Sequence, residues 1–283
     1  MIENYTEQKI EINGNIINYI QKGTGQPMLF LHNGGGFWQS WKKQMDFFST
    51  DYQVFGIDWP GFGESSAPGR PISLDLLTGT LAGFIKAKEL KQVILIGNCI
   101  GASAALNYAI QHPSNVSKLI LLNICPGKLI FPSGFIQKFI IKLNDRAGLK
   151  SFVSSILRFV FTKTFVKNNF PAILYGKNPD KQDSLYTKYI EKFKEQKQTS
   201  SRINLLFAVH TFTLEDILQD QRPFRNILIW GSENKVTPIN THGSFHKKLL
   251  NPEYFEAIPS GGHLCMYEQP ELVNTIITRY LEQ

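Results

Sequence analysis

Cysteine is scarce in this chain, with 3 residues in 283. Cys99, Cys125 and Cys265 are widely spaced and unmatched in number, which argues against a disulfide framework and against thiolate metal ligation. Long apolar runs are also missing, and none reaches the ~18 residues of a membrane-spanning helix. Charged residues make up only 19% of the chain and hydrophobic residues 42%, a globular balance that excludes extended disorder. There is no internal repeat, so solenoid and propeller architectures are set aside. Residues 1–10 are polar and include acidic side chains, unlike a secretory signal or a transit peptide. Together with the unpaired thiols, these absences predict a reduced, cytoplasmic protein that uses no metal or cofactor.

The length suits one core with an inserted subdomain. Asn13-Gly14 lies between two apolar runs, Lys9–Ile12 and Asn15–Ile20, and signals an antiparallel hairpin. Short buried strands are predicted at Pro27–His32, Tyr52–Asp58, Gln92–Gly97, Lys118–Asn123, Asn226–Gly231 and Tyr254–Ile258. Helical spacing separates them at Gln39–Phe48, Ser73–Lys88, Ile100–His112 and Ile239–Leu249, and a last helix runs from Pro270 to Leu281. Such alternation predicts an α/β fold, a doubly wound and mostly parallel sheet. After Cys125 the rhythm changes to Phe, Ile and Lys at helical spacing. The predicted division is therefore a core of 1–125 and 222–283 with a helical cap at 126–221. That cap segment holds 15 Lys+Arg against 8 Asp+Glu, which accounts for the whole net charge of +7.

The chemistry in such a sheet belongs beyond the carboxyl ends of its strands. Gly97-Asn98-Cys99-Ile100-Gly101 sits there, between a strand and a helix, with glycines two before and two after Cys99. A nucleophile held on a strained strand-to-helix turn needs that spacing, because side chains at the flanking positions would collide. Further motifs follow the same plan. They are Leu31-His32-Asn33-Gly34-Gly35-Gly36, Asp58-Trp59-Pro60-Gly61-Phe62-Gly63-Glu64-Ser65, Trp230-Gly231-Ser232-Glu233-Asn234 and Gly261-Gly262-His263. Over essentially its whole length the chain resembles the α/β-hydrolase superfamily. Its glycine-rich first turn and Gly-Asn-nucleophile elbow are similar to the cap-bearing branch that contains C–C bond (meta-cleavage product) hydrolases. The chain departs from the family pattern at three positions: Cys99 stands for serine, Asn234 for aspartate, and Asn33 for the glycine after His32.

The resemblance implies a catalytic set of Cys99, His263 and Asn234. A thiol, with a reference pKa of ~8.5, can pass its proton to histidine before substrate arrives. The third residue then mainly orients the ring, a task within reach of a neutral amide oxygen, as in the Cys-His-Asn set of papain-like proteases. Glu233 and Asn123 are alternative orienters. The backbone N–H groups of Gly34 and Ile100 are the expected oxyanion donors. Asn33, Phe37, Trp38 and Asn123 are candidate substrate contacts. His242 and His246, spaced i, i+4, read as a helix face near the surface.

Cysteine forms a thioester where serine forms an ester, so loading from a carrier thiol is nearly balanced in energy. The expectation is acyl transfer or thioester cleavage through an acyl-Cys99 intermediate on an apolar acyl group. An acyl carrier protein or coenzyme A would approach through the basic cap, and no nucleic acid is involved. The alternatives are hydrolysis of an ester, lactone or C–C bond, and a non-catalytic pocket protein.

Overall fold

The computed structural model describes residues 5–125, 127, 152–156, 170–177, 180, 182–209, 212 and 225–283. The sequence-predicted cap aromatics Phe131, Phe135, Phe139, Phe161 and Phe165, and His210, lie outside these residues.

Eight strands form one sheet in the order β1-β2-β4-β3-β5-β6-β7-β8. β1 (Gln8–Ile12) and β2 (Asn15–Lys22) are the antiparallel hairpin, turned at Asn13 and Gly14, both at positive φ. β3 (Pro27–Leu31), β4 (Gln53–Ile57), β5 (Val93–Asn98), β6 (Val116–Leu122), β7 (Asn226–Gly231) and β8 (Tyr254–Ile258) run parallel. Every residue of β5 and β7 is buried, as expected of strands covered on both faces.

Helices pack on each face because the sheet's two apolar surfaces must both leave water. One core lies between the sheet and α2 (Leu74–Ala87) and α3 (Ile100–Gln111). The other is built on Trp38, Trp41, Met45 and Phe48 together with the C-terminal helix. Its first stretch opens as a 3-10 turn, Trp38–Trp41, before α1 (Lys42–Phe48). Ser73 caps α2, its Oγ accepting from the Leu76 N–H at 3.1 Å.

Between 126 and 221 the described residues include two longer helices, α4 (Ser184–Lys194) and α5 (Gln196–Ala208), and no strand. The chain then returns through β7, α6 (Ser244–Leu250), β8, the short α7 (Cys265–Glu268) and α8 (Pro270–Leu281). Residues Ile239–Gly243, expected to be α-helical with α6, form a π-helical turn instead. Among the described residues no helix is long and apolar enough to cross a membrane.

The sheet corrects the reading of His246. It is buried, stacked on Trp230 with ring centroids 5.9 Å apart, and its Nδ1 pairs with the His242 carbonyl at 2.8 Å. Burial pushes its pKa down to about 4. The i, i+4 spacing therefore marks a core position and not a surface face, because α6 packs this side onto β7.

Candidate active site

The order β4-β3-β5-β6 puts the topological switch point beside the carboxyl end of β5. Cys99 follows β5 directly, with φ 55° and ψ −115°, in the left-handed half of backbone space that side chains avoid. Two glycines make that turn feasible. A Cβ on Gly97 would lie 2.5 Å from the Ala102 nitrogen, and one on Gly101 would collide with the Leu31 carbonyl oxygen. The sharp turn aims Cys99 away from the sheet and toward a cavity.

The cavity has a volume of about 310 Å³. Gly34, Cys99, Ile100 and His263 line its floor, and Ile173, Leu174, Leu205, Leu206, Val209 and Val236 form apolar walls. Arg202, from α5, adds one guanidinium. Its Nη2 donates to the Gly35 carbonyl at 3.2 Å, and burial lowers its pKa to about 10.

Cys125 is the neighbour that sequence reasoning passed over. Its side chain, beside Cys99, holds the Cys99 pKa well below the ordinary thiol range. Burial opposes the shift, while His263 and the Gly34 N–H reinforce it. The same neighbour, with burial, pushes Cys125 well upward. A second signal lies in the backbone, where the Cys125 N–H donates to the Cys99 carbonyl at 3.2 Å.

His263 follows β8 on the Gly261-Gly262 turn and is buried. Asn98 Nδ2 donates to its carbonyl at 2.9 Å, and Asn123 Nδ2 does so at 3.2 Å. Asn234 reaches the ring, with its Nδ2 3.2 Å from His263 Nδ1. Of the three candidate orienters it is the one in ring contact; Asn123 instead contacts Asn234 and the His263 backbone. The contacting atom differs from expectation. The amide oxygen of Asn234 is taken by the backbone N–H groups of Val236 and Thr237, both at 3.0 Å, and the amide nitrogen therefore faces the ring.

The four candidate substrate contacts do not line the cavity. Asn33 Oδ1 accepts from the Tyr189 hydroxyl at 3.1 Å. Phe37 packs on the Tyr189 ring, with centroids 4.7 Å apart. Trp38 donates its backbone N–H to Asp58 at 2.8 Å and its indole N–H to Glu7 at 3.1 Å. Asn123 lies behind His263, bonded as above. All four are drawn into packing or polar networks beneath the site, where short-range sequence context could not separate a wall from its support. His32 belongs to that support too, its Nε2 accepting from the Trp59 N–H at 2.9 Å, and burial lowers its pKa to about 3. Among the described residues no group of three or more His, Cys, Asp or Glu is placed to hold a metal.

A doubly wound sheet carrying a strained strand-to-helix turn at its switch point, with a histidine from the turn after its last strand, defines the α/β-hydrolase class. The family model for the alpha/beta hydrolase fold matches residues 26–270, and the chain belongs to that family. It is 30% identical to 2-hydroxy-6-oxo-6-phenylhexa-2,4-dienoate hydrolase of Comamonas testosteroni, over 95% of this chain and 92% of that protein. It is 26% identical to epoxide hydrolase 4 of Mus musculus, over 97% and 79%. The Cif epoxide hydrolase from Acinetobacter nosocomialis superposes with a TM-score of 0.80 at 17% identity, covering 99% of this chain and 90% of that one.

Proposed function

We propose that the protein is an acyl-transferring enzyme of the hydrolase fold, in which Cys99 carries the acyl group as a thioester. The observation that carries this reading is Cys99 on a strained elbow at the floor of an apolar cavity that His263 also lines. A thiolate is the nucleophilic form of cysteine, and attack on an acyl carbonyl develops negative charge on its oxygen. The N–H groups of Gly34 and Ile100 receive that charge; losing one such donor typically costs about 2.7–4 kcal/mol of barrier. The walls from Ile173 to Val236 hold the acyl chain away from water.

The segment 126–221 acts as the cap, since α5 supplies Arg202, Leu205 and Leu206 to the cavity. Its excess of positive charge suits an anionic carrier of the acyl thioester, and long-range attraction would speed encounter. A second reading, hydrolysis of an ester or C–C bond, draws support from the named activities of the relatives. The third orienting position separates the two, because Asn234 offers His263 no carboxylate to support an imidazolium during water attack.

The test is intact-mass analysis after incubation with a medium-chain acyl thioester. The reading expects one acyl adduct per chain, absent from Cys99→Ala. An unmodified chain despite turnover of the thioester, or an adduct that survives in Cys99→Ala, contradicts it.

A further inference from the structure

The amides around His263 form a chain whose every orientation is pinned by backbone. Gly231 N–H donates to Asn123 Oδ1 at 3.0 Å, which fixes the Asn123 amide. Its Nδ2 then points to Asn98 Oδ1 at 3.2 Å and to the His263 carbonyl. Val236 and Thr237 fix Asn234 in the same way, through its Oδ1. Asn234 Nδ2 is left beside Thr237 Oγ1 at 2.8 Å, Asn123 Oδ1 at 3.0 Å and His263 Nδ1 at 3.2 Å. Flipping Asn234 would set its nitrogen against two backbone N–H groups and its oxygen against Asn123 Oδ1. Each buried mismatch of that kind costs about 1–3 kcal/mol.

An amide nitrogen donates and has no lone pair to accept with. A proton on His263 Nδ1 would therefore meet N–H. We propose that Asn234 fixes the His263 proton on Nε2, so that Cys99 takes acyl groups only from leaving groups that depart as anions, namely thiolates and phenolates. The inference rests on the acyl-Cys99 reading above and assigns that site its substrate class.

The atoms balance without a proton from His263. Cys99 enters as thiolate, its proton already lost to solvent, and receives the Nε2 hydrogen bond. Its sulfur bonds the acyl carbon of R–CO–SR′, and the carbonyl electron pair moves to oxygen, facing the Gly34 and Ile100 N–H groups. Collapse breaks the bond to SR′, which leaves with the electron pair as R′S⁻ and is protonated by solvent. His263 cannot protonate a poorer leaving group, because loss of its Nε2 proton would leave an imidazolate. Alkoxides and amide ions, which must be protonated as they leave, are thus excluded. The same limit applies in reverse. An acceptor thiolate discharges the acyl group unaided, whereas water finds the cavity-side ring nitrogen already protonated and the other one turned to Asn234.

The experiment compares Cys99 acylation by S-ethyl thiohexanoate, phenyl hexanoate and ethyl hexanoate, followed by rapid quench and intact mass. The comparison variant is Asn234→Asp paired with Asn123→Ala, because Asn123 Oδ1 would otherwise oppose a carboxylate oxygen. The native protein is expected to acylate from the thioester and the phenyl ester. The variant, whose carboxylate accepts Nδ1–H, should accelerate acylation by the ethyl ester by roughly 10²-fold, the scale of general acid–base assistance. The phenyl ester should change by less than about threefold, as its leaving group needs little such assistance. An ethyl-to-phenyl ratio that stays the same in the folded variant overturns the proposal. Nitrogen-15 NMR of the native protein tests it without any variant: Nδ1 of His263 must resonate as an unprotonated ring nitrogen, and a protonated Nδ1 overturns it. Absence of a Cys99 adduct from all three esters would remove the acyl-enzyme reading itself, a result distinct from either of these.

Discussion

Cys125 donates its backbone N–H to the Cys99 carbonyl at 3.2 Å, which sets the two thiols side by side. The two thiols are influenced unequally. The asymmetry decides which sulfur reacts. Cys99 is held down and faces the cavity, while Cys125 is held up and is fully buried.

Alkylation by iodoacetamide should therefore modify Cys99 first and remain fast below pH ~8.5, where an ordinary thiol is protonated. The rate should fall only as pH drops through the depressed pKa of Cys99. Peptide mapping across a pH series checks both the site and the profile. Equal labelling of Cys125 and Cys99 would contradict the assignment.

Replacing Cys125 isolates its part. In Cys125→Ala the Cys99 alkylation profile should move to higher pH, since the neighbouring thiol that holds the Cys99 pKa down is gone. Its limiting rate at high pH should change little. The pH of half-maximal rate, measured for both proteins, is the discriminating number, and an unchanged value would place the thiolate's stabilisation elsewhere.

The elbow's geometry has a steric consequence. Gly101→Ala should destabilise the fold by about 1–3 kcal/mol or more, the range of overpacking, because its Cβ meets the Leu31 carbonyl oxygen. Ala102→Gly, one residue on, removes a methyl without moving the elbow and should leave Cys99 alkylation intact. Thermal unfolding of both variants reads the difference.

Buried histidines make stability depend on pH. His246 and His32 have folded pKa values of about 4 and about 3, against 6.5 for the exposed group. As pH falls below 6.5 the unfolded chain takes up protons that the folded chain refuses, so stability is lost. Asp58, raised by burial to about 6, works in the opposite sense, since below that pH the folded state binds its proton more tightly. Two histidines with larger shifts outweigh it, and the net slope should be acid-destabilising. His246→Phe keeps a ring on Trp230 and removes one titration. Its melting temperature should fall less steeply than the native protein's between pH 6.5 and 4.5.

Much of this was legible in the sequence because local rules carried it. β7 and β8 have the bounds that their apolar runs imply, and Ser73 caps the helix its position announces. The hairpin followed from Asn13-Gly14 and the elbow from Gly97 and Gly101. What escaped depends on contacts across the sheet. Cys125 meets Cys99 because β5 and β6 are neighbours, a pairing 26 residues of chain do not reveal. Asn33 and Phe37 looked like walls because they border the glycine turn, yet Tyr189 of α4 draws both inward. The orientation of the Asn234 amide was set by backbone N–H groups two and three residues on. The residue type alone suggested an oxygen facing His263, whereas the turn presents the nitrogen.

Acyl-Cys99 should wait for an acceptor other than water. The most direct measurement starts from the isolated acyl-enzyme and follows its decay by intact mass, in buffer alone and with an added small thiol. Persistence in buffer, with discharge that rises in proportion to thiol concentration and yields the new thioester, is the predicted result. Decay at one rate in both solutions, with free acid as the product, would contradict it and make the protein a hydrolase.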